Sequence, residues 1–573
     1  MSSSTTWSET LVFIGAGATA LLGMPQTNEQ TKFFRNLSIP GGRKKLSDFT
    51  QNFDAKDLAR LEDFLILLGD DKADNDCWLG ITNEELDAAR RAYSTLSTKS
   101  PSEESLKRRI LELRRSYDWQ ALKQIISICP YDKENDNLIR NVYTLLDKKM
   151  NAKQGIKVRA ASGEKDEIVI DYSRLKGAYA CVICFTVILF AKSWKNLAEG
   201  KKTEMFETYK KFADTFARLM QKESLEFAEK YPDLASRKFY QFSTSFVSFN
   251  FETVFMWLLF NANRDVNHFG KYLKSARKVE QWLDFGFQTK SRKISKYPQD
   301  RDPEKFSHSY DETVAFRQNE CKVPGSPVGR VGKFFFAHGS SNWRECPACG
   351  RMMYYLGDEW GRDAKHVNPP LPVPLFENDD FNRTKKEERW REESLQSDAL
   401  ECVSCGAKTF ANNAPMIMQT LIKGTPTSFL EEVQREVRVG LEKCRHVVLL
   451  GYSLPVDDMV WIQVFTEAIR CRVNTDEKAY CSVVVGYKGE KRWMTGDELK
   501  NYAAAHRYGK DADDYGAKTI ESAISIFGAE NVRAYCGGIP QVWGDATEKD
   551  VNELLYPRDW IPDMWNGTRL DNC

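Results

Sequence analysis

The spacing of apolar residues changes along the chain. Residues 10–14, Thr-Leu-Val-Phe-Ile, form a short β-rich run that stops at Gly15, the pattern of a strand buried on both faces. From about Ser47 to Tyr240 apolar positions recur every three or four residues with Lys, Arg and Glu between them. Asp57–Leu68, Ser105–Arg115 and Thr203–Tyr231 therefore read as amphipathic helices. The longest apolar run, Gly177 to Ala191, has 15 residues between Lys176 and Lys192. A bilayer span needs about 20 residues, so a buried helix is expected there.

Strand character returns at Phe246–Asn250 and at Lys333–Ala337. A cysteine-bearing stretch, 344–408, follows, and its charged middle (Glu377–Gln396) reads as an inserted helix or loop. The last third alternates: helix at Leu430–Lys443, strand at His446–Gly451, helix at Val460–Arg472, strand at Cys481–Gly486, and helix at Ala517–Phe527 leading into Val532. Such alternation predicts βα units and a parallel sheet. The expected organisation is an α/β domain built from 1–46, 241–343 and 411–573. A helical insertion occupies 47–240 and a metal-binding module with a charged insertion 344–410. No internal repeat or low-complexity tract interrupts this pattern.

Composition narrows the function classes. The 573 residues carry 82 Lys+Arg against 81 Asp+Glu, so a protein that coats nucleic acid through its own net charge is disfavoured. Lys107-Arg108-Arg109 reads as a solvated helix face, and no sequence-specific nucleic-acid binding is expected. Hydrophobic content of 42% excludes global disorder. Met1–Thr10 lacks the basic and apolar regions of a secretory signal. With 14 Cys too sparse for a disulfide scaffold, a cytoplasmic chain with reduced thiols is expected, in which paired Cys point to metal.

Four stretches carry candidate chemistry. Gly15-Ala16-Gly17-Ala18-Thr19-Ala20 follows the first strand and fits G-x-G-x-x-A, the turn of a Rossmann-like fold. Gly15 permits the turn, Gly17 lets backbone approach a pyrophosphate, and a following helix N-terminus would face the phosphates. A dehydrogenase would place an acid some 20 positions later, but Arg35 to Pro40 offers none. Cys346-x-x-Cys349 and Cys402-x-x-Cys405 are two knuckles that together complete a closed, structural four-Cys zinc site. Cys181-x-x-Cys184, inside the apolar run, reads as packing. His338, in Phe336-Ala337-His338-Gly339-Ser340-Ser341-Asn342-Trp343, lies just past a strand, where open α/β sheets bind ligands. Gly451-Tyr452-Ser453-Leu454-Pro455-Val456-Asp457-Asp458 has the strand–turn–helix form that could hold phosphate or ribose.

In order along the chain, these blocks resemble the sirtuin family. The glycine turn with Gly23-Met24-Pro25 is similar to its opening. Ser248-Phe249-Asn250-Phe251-Glu252 is similar to its Asn motif, and Ala337-His338-Gly339 to its catalytic His-Gly. The double Cys pair and Gly451-Tyr452-Ser453-Leu454-Pro455 fall where the family keeps zinc and a late glycine-serine segment. The wording of the motifs is closest to prokaryotic sirtuin-like defence proteins, and the resemblance spans about 10 to 540. It implies NAD⁺ as substrate, Asn250 and His338 as catalytic residues, and structural Zn²⁺ on the four cysteines. It also implies a cofactor site formed by Gly15, Ala16, Gly17, Ala18, Thr19, Pro25, Asn250, Gly451, Tyr452, Ser453 and Asp457.

Departures direct the functional expectation. Deacylases continue from Gly-Pro into Asp-Phe-Arg, whereas this chain reads Gln26-Thr27-Asn28. Gly486-Tyr487 stands where deacylases present an Asn, and Leu421-Ile422-Lys423-Gly424 does not match the acyl-peptide strand. The expectation is hydrolysis of NAD⁺ to ADP-ribose and nicotinamide by an antiviral defence effector. NAD⁺-dependent lysine deacylation and a silent NAD⁺- or ADP-ribose-binding subunit are the alternatives. The helical insertion is sized for homo-oligomer contacts or for sensing a partner. Similar proteins work with a helicase-like ATPase, an Argonaute or a phage protein.

Overall fold

The computed structural model describes residues 8–38, 55–94 (without 71 and 73), 101–130, 138–159, 167–230 (without 199, 201 and 202) and 240–269. It continues with 282–284, 330–354, 367, 400–401, 405, 407–418, 420, 427–472 (without 456 and 457), 478–486, 491–506, 514–562 and 564. One sheet of nine strands organises them: β1 (Thr10–Ile14), β2 (Tyr240–Gln241), β3 (Thr244–Ser248), β4 (Trp282–Asp284), β5 (Arg330–Phe336), β6 (His446–Leu450), β7 (Tyr480–Val484), β8 (Trp493–Thr495) and β9 (Val532–Tyr535). The spatial order is β8-β9-β7-β6-β1-β3-β5-β2, with β4 also on β5. Every pairing is parallel except β8 with β9.

Numbered first to sixth along the chain, β1, β3, β5, β6, β7 and β9 stand in the order third, second, first, fourth, fifth, sixth. Chain order therefore reverses between β1 and β6, and a doubly wound sheet binds ligands beyond the carboxyl ends of its strands at such a point. The register is continuous across the middle: Val12 pairs with Phe246 on one side and Val448 on the other. β1, β3 and β6 are buried at every position. This explains their near-continuous apolar or small-residue runs: with helices on both faces, alternation has no use.

Two main cores divide the helices. The sheet shares one core with Thr203–Lys230 through Phe206, Tyr209, Phe212 and Phe216, and with Val254–Phe269. A second core joins Thr27–Ser38, Ala55–Leu67, Trp119–Ile128, Leu138–Asn151 and Tyr172–Ala198, and takes in Phe251, Ala411, Ala414, Met416 and Met418. Packing thus ties the helix at Thr203–Lys230 to the sheet rather than to the other helices of the insertion.

The apolar run is a buried helix as expected, though a longer one, while the glycine turn differs from expectation. The apolar run lies in a helix of 27 residues, Tyr172–Ala198, long and apolar enough to cross a membrane. Yet 78% of its most apolar window is buried inside the protein, so its apolarity is accounted for by packing. The glycine turn does not open directly into an α-helix. Two 3-10 turns, Ala16–Ala18 and Ala20–Leu22, come first, and the α-helix begins at Thr27. Gly23 adopts a left-handed φ of 84° and Pro25 follows, so the chain turns before helical hydrogen bonding can propagate. The charged stretch Glu377–Gln396 lies outside the described residues.

Candidate functional site

The sequence blocks meet because each directly follows a strand of the same sheet. Backbone pairing runs on past the strand ends: Gly15 N–H donates to Leu450 O, Phe249 N–H to Ile14 O, Ala337 N–H to Ser248 O, and Gly451 N–H to Val484 O. The turns after β1, β3, β5 and β6 therefore stand side by side at the carboxyl edge, beside the reversal of strand order.

The first two turns form the walls of a small, open cleft. Ala16, Thr19 and Pro25 contribute from the β1 turn, and Phe249, Asn250, Phe251 and Glu252 from the β3 turn. Gln26, Thr27 and Gln30 at the start of the following helix complete one side, and Phe190 from the long apolar helix another. Gln30 accepts a hydrogen bond from Tyr143 of the insertion, so the insertion bears on the cleft at two points.

Asn250 is fixed by its own donors. Its Nδ2 donates to Gly15 O (3.0 Å) and to Glu252 Oε1 (2.9 Å), while its backbone N–H donates to Ser248 Oγ. With both amide hydrogens engaged, Oδ1 is the end that remains to accept a hydroxyl. Glu252 is a hub that accepts from Thr19 Oγ1 (3.0 Å), Asn250 Nδ2 and the Val254 N–H (2.6 Å). Burial pushes its carboxyl above the ordinary value, against the opposing pull of these hydrogen bonds. Tyr209 secures the same turn from the helix behind it, donating to Ala18 O at 2.5 Å.

The glycines meet one another. A Cβ on Gly15 would lie 2.5 Å from Gly451 O, and one on Gly451, at φ 61°, would lie 2.2 Å from Ala18 N. Gly17 donates to Gly451 O (3.1 Å). Close backbone approach is thus spent on locking the β1 and β6 turns together. Ala16 and Gly17 remain exposed, and Gly15, Gly17, Ala18, Gly451, Tyr452 and Ser453 do not line the cleft.

His338 follows β5 and is 3% exposed. It does not line the cleft itself, but its ring packs on Phe249, which does (centroids 4.9 Å apart). Tyr452 stacks on Phe249 as well (4.3 Å) and donates from its hydroxyl to Asp458 Oδ2 (2.8 Å). Asp458 Oδ1 lies 3.3 Å from His338 Nε2. Asp457, the acid singled out from the sequence, lies outside the described residues; its neighbour Asp458 carries a buried carboxyl. On the other side, the stretch after the cysteine module pairs with the His338 backbone. Ile417 N–H donates to His338 O (2.8 Å), and Gly339 bridges Met416.

The cysteines sit on two antiparallel hairpins, Trp343–Glu345 with Met352–Tyr354 and Leu400–Glu401 with Lys408–Thr409. Cys346, Cys349 and Cys405 bring their sulfurs within 4.8 Å of one another, and those of Cys346 and Cys405 lie 3.5 Å apart. Tetrahedral zinc with Zn–S near 2.3 Å sets its thiolates about 3.8 Å apart, so this trio could hold a metal ion. Cys402 lies outside the described residues.

Glu252, Asp458, Gln30 and Phe190 are site residues that sequence reasoning missed. Glu252 had a legible signal, a carboxylate within the apolar Phe249–Val254 stretch. Gln30 and Phe190 had none, since each reaches the cleft only through helix packing. Compared with known proteins, the chain matches no family model and no curated protein.

Proposed function

We propose that this chain is a sirtuin-like, Rossmann-type NAD⁺ hydrolase that releases nicotinamide and ADP-ribose. The observation that carries the reading is the cleft beside the strand-order reversal, lined by Ala16, Thr19 and Pro25 and by Asn250, whose amide nitrogen is engaged by Gly15 O and Glu252. A dinucleotide can bind across that edge, with its pyrophosphate over the exposed Ala16–Gly17 backbone.

In this reading the bond from ribose C1′ to the nicotinamide nitrogen breaks, and its electron pair leaves with the neutral nicotinamide. Water adds at C1′ and gives up one proton, so NAD⁺ and water become ADP-ribose, nicotinamide and H⁺. Asn250 Oδ1 would accept from a ribose hydroxyl or orient the water. His338 would take the proton, an imidazole being suited to a base near neutral pH.

Hydrolysis is favoured over deacylation by the occupied backbone at His338–Gly339. An extended acyl peptide adding there would have to displace Pro415–Ile417. Zn²⁺ on the cysteine hairpins would be structural, holding the His338 turn between them and the sheet. We assign oligomer contacts and the response to a defence trigger to the helical insertion, because Phe190 and Tyr143 connect it to the cleft.

The test is release of nicotinamide from NAD⁺ by the purified chain without any peptide. Turnover that disappears in Asn250→Ala and in His338→Ala, with both variants folded, is expected. Turnover strictly dependent on an acyl-lysine peptide would replace this reading with deacylation.

A further inference from the structure

Asp458 has an unusual allegiance. It occupies the N-cap of the helix Met459–Arg470, where an Asp side chain ordinarily accepts from a backbone N–H of the first turn. No such bond is made here. The carboxyl turns inward, taking the Tyr452 hydroxyl on Oδ2 at 2.8 Å and facing His338 Nε2 with Oδ1 at 3.3 Å. The turn that allows this is strained, for the buried Leu454 adopts a left-handed φ of 48°. His338 and Asp458 are each 3% exposed and Tyr452 5%, so water does not compete for these contacts.

We propose that Asp458, backed by Tyr452, is the positioning residue that holds the His338 imidazole in the Nε2–H tautomer and keeps the Nδ1 lone pair for proton transfer. This rests on the hydrolase reading, since it gives His338 a base's task. The positive end of the helix dipole beside residue 458 favours a carboxylate there over a neutral acid. At 3.3 Å an ionised carboxylate would accept from Nε2–H once the two groups align, and would steady the imidazolium that forms when Nδ1 takes a proton. Tyr452 fixes the second carboxylate oxygen, so the acid cannot rotate away. Phe249 touches both the His338 and the Tyr452 rings.

The experiment is imidazole ¹⁵N spectroscopy on the full chain with ¹⁵N-labelled histidine, the His338 signals being identified by their loss in His338→Gln. Only six His are present. The wild type should show His338 as the Nε2–H tautomer, and Asp458→Asn should shift its population toward Nδ1–H. Tyr452→Phe, which deletes one hydroxyl and keeps the ring, should give a smaller shift in the same direction; it decides the matter should Asp458→Asn fail to fold.

Kinetics supply the second readout. Asp458→Asn should lower kcat about a hundredfold or more with KM within about twofold, and should cost nothing further in a His338→Ala background. An unchanged tautomer in both variants, or a wild-type His338 carrying its proton on Nδ1, overturns the proposal. A wild type that fails to hydrolyse NAD⁺ while the tautomer shifts as stated defeats the hydrolase reading and leaves the positioning pair standing.

Discussion

Asn250 reaches across 235 positions of sequence to donate from Nδ2 to the carbonyl of Gly15, 3.0 Å away. The same nitrogen donates to Glu252, which in turn receives Thr19 from the Gly15 turn. The β1 and β3 turns are therefore one hydrogen-bonded unit, and a residue assigned to catalysis is also a strut. Replacing it must affect both roles, which can be separated by measurement.

Asn250→Ala should lower NAD⁺ turnover about a hundredfold, the cost of a lost orienting group. It should also reduce unfolding free energy by about 1–2 kcal/mol, because Gly15 O and Glu252 each lose a buried donor. Asn250→Asp should be less stable still, since it sets a second carboxylate against Glu252. Denaturant titration beside initial rates checks both. Stability loss without rate loss would remove Asn250 from the chemistry.

Gly451→Ala should disrupt the site from behind. Its Cβ would fall 2.2 Å from Ala18 N at a φ of 61°, so the β1 and β6 turns must separate, at a cost of roughly 2–4 kcal/mol. NAD⁺ affinity should fall with stability. Gly486→Ala, whose nearest new neighbour is Gly538 Cα at 3.8 Å, should leave the melting temperature nearly unchanged. Calorimetry on the two variants makes the comparison.

Metal removal should act on His338 through the chain. The first cysteine hairpin begins at Trp343 and the second leads into Pro415–Ile417, which pairs with the His338 turn. Chelation or Cys346→Ser should lower the melting temperature and turnover together, and elemental analysis of the wild type should return one zinc per chain. A fully active, metal-free protein would contradict this.

Acid should destabilise the fold through His446, at the far end of β6. Burial first, and the Arg533 charge second, lower its pKa from 6.5 to about 3. The unfolded chain takes up this proton below about 6.5 and the folded chain only near 3, so the contribution to stability is complete above 6.5. It is lost as pH falls between those values, at up to about 1.4 kcal/mol per pH unit. His446→Gln should flatten that part of the stability–pH curve relative to wild type. Parallel curves would show that His446 does not titrate there.

The sequence was most legible where one force dominates. β1, β3 and β6 declare themselves because burial on both faces demands near-continuous apolar or small residues, β5 shows through its Phe334–Phe336 run, and their order along the chain brought Gly15, Asn250, His338 and Gly451 to one edge. The antiparallel strand Trp493–Thr495 was missed, since three edge residues carry no period. The Ala-rich stretch after Gly15 reads as helix, yet the left-handed Gly23 and Pro25 divide it into short turns. That Asp458 buries its carboxyl against His338 depends on the turn after β6, which composition does not resolve. Phe190 and Gln30 enter the cleft through packing between helices, and such contacts leave no local pattern.

The most direct measurement is incubation of the chain with NAD⁺ in ¹⁸O-enriched water, without peptide, followed by mass spectrometry. Nicotinamide and ADP-ribose should form in equal amounts, with one heavy oxygen in the ribose released from nicotinamide, and no such products should come from His338→Ala. Intact NAD⁺ after prolonged incubation, or ADP-ribose lacking the heavy oxygen, would contradict the hydrolase reading.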